Sequence, residues 1–188
     1  QHSARLSDSN FFIIEADEYD KSFLQLKPTI SVITNIEQEH MDCYDDADDL
    51  HNSFAQFANS VPFYGAVIAC LDSSGVQDII PNIKRPVVTY GFSPQADIGA
   101  KNIKTNETQT TYTLYHNNKN CGKVTLHVPG KHNVLNSLAA AAIGFELGIE
   151  PKNIIAGLNS YGGVRRRFEI KGIAHDVMVV DDYAHHPT

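Results

Sequence analysis

The sequence predicts an α/β fold, a mostly parallel sheet flanked by helices that also carries a small antiparallel β subsheet. Three observations lead there. Short, continuously apolar runs bounded by turn residues recur along the chain and read as strands buried on both faces. Segments with apolar residues at helical spacing alternate with them, and this βαβα order places helices over a parallel sheet. Between residues 96 and 128 the texture changes to Thr, Asn, Tyr and Lys with alternating apolar positions, as antiparallel strands require.

Taken in order, the four apolar residues 11–14 are expected to form the first buried strand and to deliver Glu15, Asp17 and Glu18 to its carboxyl end. Residues 30–36 repeat the device and deliver Glu37, Glu39, His40 and Asp42. Residues 47–60 carry Leu50, Phe54, Phe57 and Ala58 at helical spacing, with Pro62 beyond the end. The acidic stretch Asp42, Asp45, Asp46, Asp48 and Asp49 lacks the spacing and glycine of an EF-hand, and suits a helix N-terminus. Residues 66–71 form a third strand, 75–80 a short helix stopped by Pro81, and 86–90 a fourth strand. Residues 111–115 and 124–128 make a hairpin around the polar turn 116–121. Residues 133–147 are an Ala-rich helix closed by Gly148, and 151–158 a helix with proline in its first turn. Tyr161, Gly162 and Gly163 read as a hinge, after which strands 168–173 and 177–180 begin a new unit.

Composition excludes several function classes. With 188 residues, 42% hydrophobic and 20% charged, the chain has the makeup of a globular protein with one sizeable core. A net charge of −7 is the wrong sign for a nucleic-acid or acidic-membrane binder. Cys43, Cys70 and Cys121 are odd in number and form no C-x-x-C pair, which argues against a disulfide framework or structural zinc and fits a reducing compartment. No signal peptide is present, nor any apolar run near the ~18 residues of a membrane span. The chain opens on Gln1 rather than Met, which suggests a fragment, so the missing signal says little about a longer parent.

Four clusters carry chemistry. The two acidic strand ends aim oxygen and imidazole ligands into one crevice, because ligands of an open parallel sheet collect outside the carboxyl ends of its strands. That mixture suits a hard cation such as Mg2+; solvated loop charges are the alternative. In PGKHNVLNSLAAAA (129–142), Asn133 and Asn136 lie three apart on one face of a first helical turn. Paired amides there match the donor and acceptor edge of a base such as adenine, or else they cap the helix. Gly130-Lys131 is not a P-loop, since the upstream glycine and the following Ser or Thr are absent. Beside the glycine hinge, Arg165, Arg166 and Arg167 form either a phosphate clamp or a solvated linker. Asp181, Asp182, Tyr183, His185 and His186 again place polar chemistry at the end of an apolar strand.

EADEYDKSFL, TNIEQEHMD, VPFYG, PGKHNVLNSLAAAA, GVRRRFE and DDYAHHPT, in this order and across nearly the whole chain, resemble the Mur ligases of peptidoglycan synthesis. The resemblance implies a three-domain cytoplasmic enzyme. Residues 1–163 are then its central, P-loop-type ATP-binding domain without the upstream P-loop segment, and 164–188 the hinge and first strands of a C-terminal Rossmann-like domain. It implies ATP and Mg2+ as cofactors, with Glu15 and His40 as metal ligands. His132, Asn133 and Asn136 are similar to the adenine-contacting residues, and Arg167 to an arginine that approaches the phosphates. Asp182 resembles an acid near the ATP, and Tyr183, His185 and His186 fall in a substrate-facing motif, so that Asp182, His185 and Arg167 would carry catalysis. Glu39, Cys43 and Ala184 stand where the family more often has Asp, Thr and Gly. Residues 43–83 contain no lysine, as expected for the branch that joins L-alanine to the lactyl carboxylate of UDP-N-acetylmuramate and for the ligase that recycles murein tripeptides. Neither nucleic acid nor a membrane is an expected partner. A metal-dependent phosphoesterase is the reading from a different class.

Overall fold

The computed structural model describes residues 8–38, 41–164, 166–167, 169–175 and 177–183. Its main body is a six-stranded sheet in the order of the chain: β1 (Ile30–Ile33), β2 (Ala66–Cys70), β3 (Val87–Gly91), β4 (Ile98–Thr105), β5 (Thr110–His116) and β6 (Lys119–Leu126). β1 to β4 pair in parallel, and β4 to β6 are antiparallel. Two successive reversals therefore leave β6 running in the same direction as β1–β4. The small antiparallel subsheet is thus a continuation of the parallel one. β4, absent from the sequence reading as a separate strand, joins the two parts by pairing in parallel with β3 at Tyr90↔Ile98 and antiparallel with β5 at Ile98↔His116.

Helices cover both faces, as a parallel sheet demands. α1 (Ala47–Asn59) and α2 (Ser74–Ile79) close one face, where Leu50, Ala58 and Val61 meet Val67, Ala69, Val76 and Ile79. Asp46 caps α1 by accepting from the Asp49 N–H at 2.8 Å, and Ser73 caps α2 by accepting from Val76. The acidic stretch is therefore a helix start, as read. α3 (Lys131–Glu146) crosses the other face over β2, β3 and β4, seating Val134, Leu138, Ala141 and Ala142 against Ile68, Tyr90, Ile98 and Leu114. Its run of alanines lets the helix lie close to the sheet. α4 (Pro151–Asn159) then packs on β6.

One expected element is not formed. Residues 11–14 are in no strand, and Phe11, Phe12, Ile13 and Ile14 are exposed by 51–90%. Four apolar residues predict burial only if a sheet edge receives them, and among the described residues β1 pairs with β2 alone. The expected polar turn at 116–121 is shorter, since His116 pairs with Lys119 and β6 begins there, five residues before the strand read at 124–128; the other expected elements agree to within a few residues. β7 (Glu169–Ala174) and β8 (Val177–Asp181) form a separate antiparallel pair. No helix among the described residues is long and apolar enough to cross a membrane.

Candidate nucleotide and metal site

At the carboxyl end of β1 the chain turns through Asn35, whose amide donates to Glu37 Oε1 at 2.6 Å and whose Oδ1 accepts from Ser73 Oγ at 3.2 Å. Gly75, at the start of α2, allows this approach: a Cβ there would lie 2.5 Å from the Ile36 carbonyl oxygen. Facing this turn is a strap, residues 17–25, that the sequence reading did not foresee. Its Asp17 carbonyl accepts from Phe23 N–H and Ser22 Oγ, while Asp20 and Lys21 both take left-handed φ values of 54°. Such conformations are costly for non-glycine residues and persist only where surroundings hold them.

Three contacts hold this one. Lys21 pairs with Asp49 at 2.6 Å and sits 5.1 Å from the Tyr44 ring centroid. The Tyr44 hydroxyl donates to the Glu18 carbonyl at 2.7 Å, and Phe23 is 2% exposed between Phe54 and Phe57, with centroids 5.1 and 5.2 Å away. Burial first, and the Glu18 charge second, push the Tyr44 phenol up to about 12. Strap and turn enclose a cavity of about 210 Å³ lined by Ala16, Glu18, Asn35 and Glu37 on a floor of Phe23, Phe54 and Phe57. Of the two acidic segments expected to share one crevice, Glu18 and Glu37 line this cavity. Glu15 is exposed and adjoins Ala16; His40, with Glu39, lies outside the described residues. Among the described residues no three His, Cys, Asp or Glu side chains gather as a ligand set. The donors at the cavity are carboxylate and amide oxygens, hard ligands that fit Mg2+.

The second cluster lies after β6. Gly130 takes φ 105°, and the His132 imidazole folds back over it, 2.7 Å from where a Cβ would sit. Gly130 is itself the N-cap of α3, so Asn133 is not the capping residue; its amide donates instead to the Pro129 carbonyl at 2.6 Å. Asn133 and Asn136 line one cavity of about 540 Å³ together with Ser137, Ala140, Ile154 and Tyr161. The sequence reading named the two amides and missed the others. Ser137, Ala140 and Gly144 continue the face of Asn133 at helical spacing, a periodicity that identifies them. Beneath them Tyr112 Oη and Ser137 Oγ are 2.7 Å apart, and Ser137 donates to the Val134 carbonyl at 2.6 Å. The apolar walls with a few amides suit a flat heteroaromatic ring.

The third cluster is the linker. Arg167 Nη1 donates to the Tyr183 carbonyl at 3.2 Å, and the Arg166 guanidinium lies 4.6 Å from the Tyr183 ring centroid. The end of β8 and the arginine run are thereby joined, with Asp182 and Tyr183 both exposed. Arg165, His185 and His186 lie outside the described residues.

A sheet with polar groups at its carboxyl ends, an amide-lined apolar pocket and an arginine linker make this an α/β domain with a candidate nucleotide site. The model of the Mur ligase middle domain matches residues 2–144, and the chain belongs to that family. The UDP-N-acetylmuramate--L-alanine ligase of Desulfatibacillum aliphaticivorans is 49% identical over 99% of this chain, and its counterpart in Geotalea uraniireducens is 47% identical over the same share. The chain spans 41% of the length of each. Among solved structures, UDP-N-acetylmuramate-alanine ligase from Thermotoga maritima is similar with a TM-score of 0.75 and 25% identity, over 89% of this chain and 37% of that one. A murein peptide ligase from Psychrobacter arcticus gives a TM-score of 0.69 and 27% identity over 98% of this chain and 40% of that one.

Proposed function

We propose that this chain is the central part of an ATP-dependent ligase that joins L-alanine to the lactyl carboxylate of UDP-N-acetylmuramate, a cytoplasmic step of peptidoglycan synthesis. The observation that carries the reading is near-half identity to alanine ligases across 99% of the chain. The pocket with its two amides and the oxygen-lined cavity after β1 support this reading.

In this reading the substrate carboxylate attacks the γ-phosphorus of ATP, ADP leaves, and an acyl phosphate forms. The alanine amine then attacks the acyl carbon, loses a proton and expels phosphate. Asn133 and Asn136 read the adenine edge, and His132 borders the base. Arg167 neutralises phosphate oxygens as two anions approach, the main electrostatic obstacle of the first step. Mg2+, held by Glu15 and His40, would add further charge neutralisation there. Asp182 contacts the nucleotide, and Tyr183, His185 and His186 meet the substrates, with His185 receiving the amine proton. Residues 164–188 begin the domain that closes about Gly162 and Gly163 and keeps water from the acyl phosphate.

The test is phosphate release from ATP by the full-length protein supplied with UDP-N-acetylmuramate and either L-alanine or murein tripeptide. Turnover that requires L-alanine is expected. Turnover with tripeptide alone would make the protein a recycling ligase, and release without any amine a phosphoesterase. In the same assay His185→Ala is expected to lower kcat or raise the alanine KM; unchanged values would remove His185 from the proton path.

A further inference from the structure

By sequence the arginine run is either a phosphate clamp or a solvated linker, and Arg166 and Arg167 are held quite differently. Arg166 takes φ 60°, a left-handed conformation that costs a non-glycine residue on the order of 1 kcal/mol. Both of its backbone polar groups are engaged: its N–H donates to Glu169 Oε2 at 2.8 Å and its carbonyl accepts from the Tyr183 N–H at 2.7 Å. Its guanidinium lies over the Tyr183 ring. Arg167 then reaches the carbonyl of the same tyrosine. Glu169 also pairs with Lys171 at 2.8 Å, and Lys171 lies 3.6 Å from Asp181 on the opposite strand. One residue at the end of β8 thus has its N–H, carbonyl and ring bound by two consecutive arginines of the linker.

From this we infer that Arg166 is a positioning residue, and that the phosphate-directed charge of the linker belongs to Arg167. A guanidinium over a tyrosine face fixes the ring, and with it the carbonyl that orients Arg167. The left-handed turn at Arg166 sends Arg167 toward the strand end that carries Asp182, where a straight chain would send it elsewhere. The division explains why adjacent arginines with the same chemistry grip one tyrosine at different points, Arg166 at its ring and Arg167 at its carbonyl. The inference rests on the reading of Arg167 as a phosphate contact.

The experiment is a double-mutant cycle in the full-length protein, scored by kcat/KM for ATP. Arg167→Ala is expected to lower kcat/KM by about 10- to 100-fold, since a charge-assisted contact to phosphate is worth about 1.5–3 kcal/mol. Arg166→Gly, which tolerates φ 60° and removes only the side chain, is expected to cost about three- to fivefold, the worth of an exposed cation–π contact, without lowering the melting temperature. Arg166→Lys, which keeps a cation over the ring, should recover most of that loss. In the Arg167→Ala background Arg166→Gly should cost nothing further, because its effect passes through Arg167. Losses that multiply would show Arg166 acting directly on the nucleotide and overturn the inference. No loss from Arg167→Ala alone would instead overturn the phosphate role of Arg167, and the positioning role with it.

Discussion

The Tyr112 hydroxyl donates to Ser137 Oγ across 2.7 Å, fastening the middle of β5 to the pocket-lining face of α3. The direction follows from Ser137, whose one hydroxyl proton goes to the Val134 carbonyl. Burial pushes the Tyr112 phenol from 10.0 up to about 12. The unfolded chain therefore loses this proton first as pH rises, and stability present below pH 10 falls across the window to about 12. Tyr112→Phe should cost about 1 kcal/mol at neutral pH and flatten that alkaline decline. Urea unfolding followed at neutral pH and at pH above 10 checks both; an unchanged alkaline slope would contradict the assignment.

Phe23 is the apolar anchor of the strap that follows Glu15. Phe23→Ala removes a side chain packed on Phe54 and Phe57, and a loss of about 3–5 kcal/mol is expected. Limited proteolysis should then cut within residues 15–25 before the sheet opens. A variant that stays resistant there would mean that the Lys21–Asp49 pair alone holds the strap.

Two glycines should respond in opposite directions to alanine. At Gly75 the new Cβ meets the Ile36 backbone at 2.5 Å, which neither side can easily give, and a cost of about 1–3 kcal/mol is expected. At Gly157, inside α4, an added Cβ would meet no described atom beyond its own helix within 4 Å, so alanine should stabilise by roughly 0.5–1 kcal/mol. Melting temperatures of the two variants, measured side by side, decide the matter.

Asn136→Leu keeps the branched shape of the side chain on the pocket wall and deletes the amide. Loss of one base-edge hydrogen bond predicts about tenfold weaker ATP binding by calorimetry, with little change for GTP. Equal weakening of both nucleotides would indicate lost packing and no reading of the base.

Much of this architecture was legible because buried parallel strands leave uninterrupted apolar runs: residues 66–71 and 86–90 are found almost as read. The helix caps at Asp46 and Ser73 follow from local chemistry alone. Residues 11–14 show where that logic stops, since an apolar run states a preference and pairing needs an edge. β4 was missed because Lys101, Asn102 and Lys104 sit on a strand with a bulge, where the alternation breaks and Asn102 takes φ 57°. At the site, the motifs identified Asn133, Asn136 and Arg167 as candidates. They did not show the clasp of Lys21 with Asp49 and Tyr44, which joins residues 28 apart along the chain. Nor did they show that Tyr183 is the common partner of Arg166 and Arg167.

The paired reversals between β4 and β6 impose a rule of parity on this edge of the sheet. α3 starts at the same end as the β1 turn only because the chain has doubled back an even number of times. A longer or shorter hairpin loop, or strands added or removed in twos, would leave that end unchanged. A single strand gained or lost would carry the asparagine-bearing turn to the opposite rim, away from the turn through Asn35.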